Sequence, residues 1–146
     1  MAKTLPPFHA QETDFSCAVA CLRMVLESFG VTKSESELRE LCDCTIFGTS
    51  AVELIQAARR LGFRGSRKYS LTIDELRRVA EEGYFPIVYV VLVKSSTADV
   101  LSLVVTSVSD DAVRVLDPER GLSEFSVGCF RELWAPINNL AVVIAR

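Results

Sequence analysis

The chain has 146 residues, 49% of them hydrophobic and 24% charged, with a mean hydropathy of +0.27. Seven Gly and five Pro exclude a collagen-like or disordered polymer, and the length suits one globular domain, residues 1–146, with a sizeable core. A net charge of −3 argues against a nucleic-acid partner, and apolar runs such as Pro86 to Val93 fall far short of the roughly 20 residues of a membrane-spanning helix.

Residues 1–16 are polar and Pro-containing, and are expected to be extended. From Cys17 to Phe29 apolar residues occupy most sides of a helix, which predicts a central, buried one ended by Gly30. Ser34 with Glu37 is a capping-box pair that opens a short helix through Leu38 and Leu41. Thr49 or Ser50 caps a third helix, with Val52, Leu54, Ile55, Ala58 and Leu61 as its apolar positions and Gly62 as its stop. Thr72 with Glu75 caps a fourth, which runs to Gly83. The period then changes. Phe85–Leu92 is β-branched and aromatic, as in a strand buried on both faces. Val100–Val108 and Ala112–Leu116 are two more strands joined at Ser109-Asp110-Asp111, and Leu122–Phe125 is a short one after the turn at 117–121. A helix over Ser126–Leu133 and a strand over Leu140–Ile144 complete an α+β pattern, helices first and antiparallel strands after.

Five cysteines are an odd number for a disulfide framework, and Cys17-x-x-x-Cys21 and Cys42-x-Cys44 lack the usual zinc-knuckle spacing. No metal or cofactor is therefore expected, and most of these thiols read as small core hydrophobes. Met1–Pro7 carries one Lys and no apolar run follows, so no export signal is read and a cytoplasmic address is expected.

One thiol stands apart. Cys17 falls where the first helix begins, and unsatisfied N–H groups with the positive end of the macrodipole favour a thiolate there. Gln11, six residues upstream on an extended approach, can offer a side-chain amide of the kind an oxyanion hole uses. Asp117 before Pro118 is a good turn residue whatever its chemistry. Phe125, Phe130 and Trp134 read as core anchors, and the Arg and Lys residues of 59–78, offset by Glu53, Glu75, Glu81 and Glu82, as a solvated surface.

The run Gln11 to Met24 (QETDFSCAVACLRM), ending at Phe29-Gly30, resembles the opening of the bacteriocin-processing, double-glycine cysteine peptidases, domains often fused to export transporters. The resemblance continues through Phe47-Gly48-Thr49-Ser50, Glu53–Leu61, Leu61-Gly62-Phe63, Phe85-Pro86-Ile87-Val88, Val115-Leu116-Asp117-Pro118 with Gly121, and Phe130-x-x-x-Trp134. It implies a papain-like fold, Cys17 as nucleophile, Gln11 as oxyanion donor and Asp117 as the residue that orients a catalytic histidine. It also implies a peptide or protein ligand, such as a double-glycine leader, and a partner transporter or accessory protein.

The family's histidine opens the strand before the Asp-Pro turn. Here that strand reads Val100-Leu101-Ser102-Leu103-Val104-Val105, which places Leu101 in the histidine slot, or Ser102 if the match slips by one. Ala18 follows Cys17 where the family usually has Gly, and could crowd a peptide's approach. The single histidine, His9, lies two residues before Gln11 and is read as a surface residue on a flexible arm. The sequence is thus read as a peptidase-like domain stripped of its histidine and acting as a peptide- or protein-binding module. The alternatives are an active cysteine peptidase or transferase with an unrecognised base, and a purely structural domain.

Overall fold

The computed structural model describes residues 4–94 and 97–146; residues 1–3 of the polar opening, and 95–96 between two strands, lie outside the described residues. Four helices and one short strand come first: α1 (Cys17–Ser28), α2 (Glu35–Leu41), α3 (Ala51–Arg60), β1 (Arg67–Ser70) and α4 (Ile73–Glu81). The second half holds β2 (Ile87–Lys94), β3 (Thr97–Val108), β4 (Ala112–Asp117), β5 (Gly121–Ser126), α5 (Val127–Trp134) and β6 (Leu140–Val143). The strands form one antiparallel sheet in the order β1-β6-β2-β3-β4-β5.

Local chemistry sets most helix ends. Ser34, Ser50 and Thr72 each accept from the backbone three residues on, where a Glu returns the bond, so the two predicted capping-box pairs are present, and Ser50 rather than Thr49 caps α3, in a further box with Glu53. Gly30, Gly62 and Gly83 follow the ends of α1, α3 and α4 with φ of 82°, 98° and 101°, values that a side chain would strain.

Helices cover both faces of the sheet. On one face Ile87, Tyr89, Val104, Leu116 and Val142 pack with α1, α2 and α3, and α1 buries Ala18 to Leu22 and Met24 to Leu26. On the other, Val88, Val90, Leu103, Val105, Val113 and Val115 pack with α4 and α5, where Phe130 and Trp134 are fully buried. The alternation along β2 and β3 divides the two cores, as the period of a strand requires. Strand β1 has no counterpart among the predicted elements. Its four residues, Arg67 to Ser70, are all exposed and pair only with β6, so no apolar run marks it. Cysteine burial is also mixed: Cys21 and Cys42 are core residues, Cys17 and Cys44 are half-buried, and Cys129 is exposed.

Candidate functional site

The N-terminal arm approaches α1 through a tight loop. The Thr13 N–H donates to Ser16 Oγ at 3.1 Å, and that hydroxyl donates to the Thr13 carbonyl at 3.2 Å. Ser16 is therefore occupied within its own loop and makes no side-chain cap on α1, unlike the residues that begin α2, α3 and α4. Cys17, the first residue of α1, stands at an end whose amides are not consumed by a side chain, and no acid occupies that first turn.

Two backbone amides of the arm are tied to other segments. The Gln11 N–H donates to the Pro118 carbonyl at 3.0 Å, tying it to the turn after β4. The next amide, Glu12 N–H, donates to both carboxylate oxygens of Glu35 at 3.0 and 3.2 Å. Glu35 is fully buried and pairs with Arg39 at 3.5 Å. Nothing in the sequence singled out Glu35 except its place at the start of α2.

Beside Cys17 lies a cavity of about 580 Å3, lined by Gln11, Asp14, Phe15, Cys17, Ile46, Phe47, Gly48, Leu92, Asp99, Val100, Leu101 and Glu119. It brings together three of the residues singled out from the sequence: Cys17, Gln11 and Leu101. Gln11 spends one amide N–H on the Thr13 carbonyl at 2.8 Å, and its Oε1 is buried without a partner among the described residues. The second N–H is the donor left for an anion in the cavity.

Leu101 lines the wall and also packs at the edge of the α4–α5 core, across from Val90. Ser102 is 1% exposed, lies across from Tyr89 on the α1 face, and is not a wall residue. Its hydroxyl is hydrogen-bonded to Tyr89, whose own hydroxyl donates to the Thr49 carbonyl at 3.2 Å. Burial, then the neighbouring Cys21 and Cys17 thiols, push the Tyr89 phenol up, so it stays protonated.

Asp117 is 3% exposed and does not line the cavity. Its Oδ1 accepts from the Glu119 N–H at 2.8 Å and its Oδ2 lies 3.7 Å from Arg120, so the carboxylate caps its own turn. Ala18 is 3% exposed and packed into the α1 core, not the cavity wall, which removes the expected crowding. His9 departs from the free-arm expectation. Its Nε2 lies 2.7 Å from Glu27 in the last turn of α1, ten residues or about 15 Å along the helix from Cys17. The exposed Ile46-Phe47 pair at the cavity mouth is a signal the sequence offered unused: neighbouring apolar residues between two helices, outside any helical period.

Burial also pushes the Cys42 thiol up, from 9.0 to about 12, and raises Cys21 well above its ordinary value. A group whose folded value is raised binds its proton more tightly in the folded state, so stability present below the unfolded value is lost as pH rises through the folded one. The urea midpoint is therefore expected to fall between about pH 9 and 12. Cys42→Ala should fall less steeply over the same range, and parallel curves for the two proteins would remove Cys42 as the cause.

Residues 6–145 match the model of the Peptidase C39 family. The chain belongs to that family. Among curated relatives, the transport/processing ATP-binding protein ComA of Streptococcus pneumoniae (strain ATCC BAA-255 / R6) is 29% identical over 133 residues, which are 89% of this chain and 18% of ComA. The lactococcin-G-processing and transport ATP-binding protein LagD of Lactococcus lactis subsp. lactis is 24% identical over 127 residues, 87% of this chain and 17% of LagD. This C39 chain thus spans under a fifth of the length of these relatives. The solved peptidase domain of Streptococcus ComA, described as a bi-functional ABC transporter involved in quorum sensing, superposes with a TM-score of 0.78 at 25% identity. That match covers 94% of this chain and 97% of the other. A double-glycine-motif protease from an AMS/PCAT transporter, solved with its leader peptide, gives 0.77 at 18% identity over 97% and 91% of the two chains, a likeness of fold. The C39 domain described here has the papain-like fold of these neighbours. No helix among the described residues is long and apolar enough to cross a membrane.

Proposed function

We propose that this C39 domain, residues 1–146, holds a peptide segment in the Cys17 cavity and does not cleave it. One observation carries the reading: the chain's single histidine is held on Glu27, about 15 Å along α1 from Cys17. A thiol peptidase needs a base to take the thiol proton and return it to the leaving amine, and Leu101 and Ser102 can do neither near neutral pH. Cys17 in this reading is the retained nucleophile position, Gln11 the retained donor to a peptide carbonyl, and Asp117 the orienter left without its imidazole. No metal or cofactor takes part.

The ligand class is a peptide with apolar side chains, such as a double-glycine leader. Support comes from the cavity mouth, where Phe47 is 93% exposed, Ile46 74% and Val100 55%. The partner is the leader-bearing protein or the transporter that exports it, and the domain works on the cytoplasmic side. A second reading draws on Asp14, Asp99 and Glu119 in the same wall, any of which could serve as a weak base for slow turnover.

A fluorescein-labelled double-glycine leader peptide separates the two. The purified domain is expected to raise its anisotropy saturably while mass spectrometry finds the peptide intact. Phe47→Ser should weaken binding about 10- to 100-fold, the cost of one lost aromatic contact of about 1.5–3 kcal/mol, with no loss of stability because the ring is exposed. Cleavage after the two glycines, abolished by Cys17→Ala, would replace the binding reading with the enzymatic one.

A further inference from the structure

A second cavity, of about 320 Å3, lies between α3 and β1 and is lined by Val52, Ile55, Gln56, Arg59, Arg67 and Lys68. It shares no lining residue with the Cys17 cavity. The ten residues from Arg59 to Lys68 hold five cations and no carboxylate, in a chain of net charge −3. Arg59 is preset in the groove, with Nε and Nη2 donating to the Ser66 carbonyl at 3.2 and 2.9 Å. Arg60, Arg64, Arg67 and Lys68 are exposed, and none has an ion-pair partner among the described residues. The compensating acids expected from the sequence do not reach them. Glu53 caps α3 at Ser50, and Glu75 caps α4 at Thr72.

The strand beside the groove is the edge of the sheet. β1 pairs with β6 on one side only, which leaves the backbone groups along its other side open. Charged side chains on an edge strand ordinarily discourage pairing with another chain, since an apolar strand would have to bury them. The same charges select a strand that can neutralise them. A nucleic acid would use the cations and leave the strand edge unpaired, whereas an acidic polypeptide uses both.

We propose that an acidic, extended segment of a partner polypeptide docks on the outer edge of β1, with carboxylates meeting Arg59, Arg67 and Lys68. The segment adds a strand of about four to six residues, and Val52, half-exposed on the α3 wall, takes an apolar side chain from it. This surface holds a partner independently of what occupies the Cys17 cavity.

The test uses the whole chain and an acetylated eight-residue peptide, Glu-Glu-Val-Val-Glu-Glu-Val-Val, whose paired carboxylates reach both faces of the added strand as Arg67 and Lys68 do. Its amide chemical-shift changes are expected to be confined to residues 52–70, and its affinity should fall with added salt. Arg67→Glu with Lys68→Glu, both at exposed positions, should weaken binding about tenfold or more. The same peptide N-methylated at alternate residues keeps its charge but cannot complete a ladder, and should not bind. Equal binding of the N-methylated peptide would reduce the site to charge attraction and overturn strand addition. Tighter binding of a single-stranded oligonucleotide of equal charge, or no binding of the acidic peptide, would overturn the proposal outright.

Discussion

A Leu101→His chain is expected to alkylate with iodoacetamide at Cys17 faster than the wild type between about pH 6 and 7, where an imidazolium partner raises the thiolate fraction most. Leu101 and Cys17 share the wall of one cavity, and the expected effect requires that a ring at 101 turn into that cavity and not into the α4–α5 core that Leu101 also touches. Asp117 sits at the end of the neighbouring strand, β4, with its carboxylate turned into its own turn. The variant thus supplies a base ahead of an orienter. Positioned bases contribute about 10²–10⁴-fold, so cleavage of a double-glycine peptide should become measurable even with imperfect geometry. The cost is the packing of Leu101 against the α4–α5 core, about 1–3 kcal/mol if the ring nitrogens lack partners. Ser102→His is the companion variant. That position is 1% exposed and hydrogen-bonded to Tyr89, so the larger ring should lower stability by about 1–3 kcal/mol without speeding the label. A folded Leu101→His protein that labels no faster than wild type would show that Leu101 does not face the thiol. Faster labelling in Ser102→His instead would move the slot by one residue.

The second large effect is expected at Glu35. This carboxylate is fully buried, accepts twice from the Glu12 N–H and pairs with Arg39 in the next turn. It also sits in the first turn of α2, where a negative charge meets the positive end of the helix. Glu35→Ala removes a charge-assisted bond of about 1.5–3 kcal/mol and a helix-end contribution of about 0.3–1 kcal/mol, so urea unfolding should show a loss of roughly 2–4 kcal/mol. Glu35→Gln keeps one acceptor oxygen and should lose about half as much.

The effect should reach the cavity. Glu12 follows Gln11, and without Glu35 the arm is held there by the Gln11–Pro118 bond, by the Glu12 carboxylate on Arg23 at 3.4 Å and Arg39 at 4.0 Å, and, further back, by His9 on Glu27. Hydrogen exchange of amides 8–14 is expected to quicken more than that of α2, and leader-peptide binding to weaken with it. Destabilisation with unchanged arm exchange would confine Glu35 to the stability of α2.

The features legible in the sequence are those whose cause lies within a few residues. A capping box closes over three positions, so Ser34 with Glu37 and Thr72 with Glu75 announce α2 and α4 without reference to the rest of the chain. Helix α1 is apolar on nearly every side, and a helix of that kind can only be central. Phe85–Leu92 lacks polar alternation because β2 has a core on each face. Cys17 at a helix start and Gln11 on its approach are equally local, and both line the cavity.

Tertiary structure decided whatever depends on a distant partner. β1 exists because Arg67 pairs with Val143 and Ser70 with Leu140, and its own four side chains carry no period since none is buried. His9 is two residues from Gln11 in sequence, yet a carboxylate eighteen residues away takes it to the far end of α1. Glu35, polar and unremarked beside a capping box, becomes the anchor of the arm only when α2 packs against α1. Arg67 and Lys68 read as a solvated surface offset by Glu53, Glu75, Glu81 and Glu82, but among the described residues the fold brings none of these acids into an ion pair with them. Local propensity fixes where an element starts and stops. Which charge meets which, and which wall a side chain joins, is set by contacts between segments far apart in the chain, and no short window of sequence contains both partners.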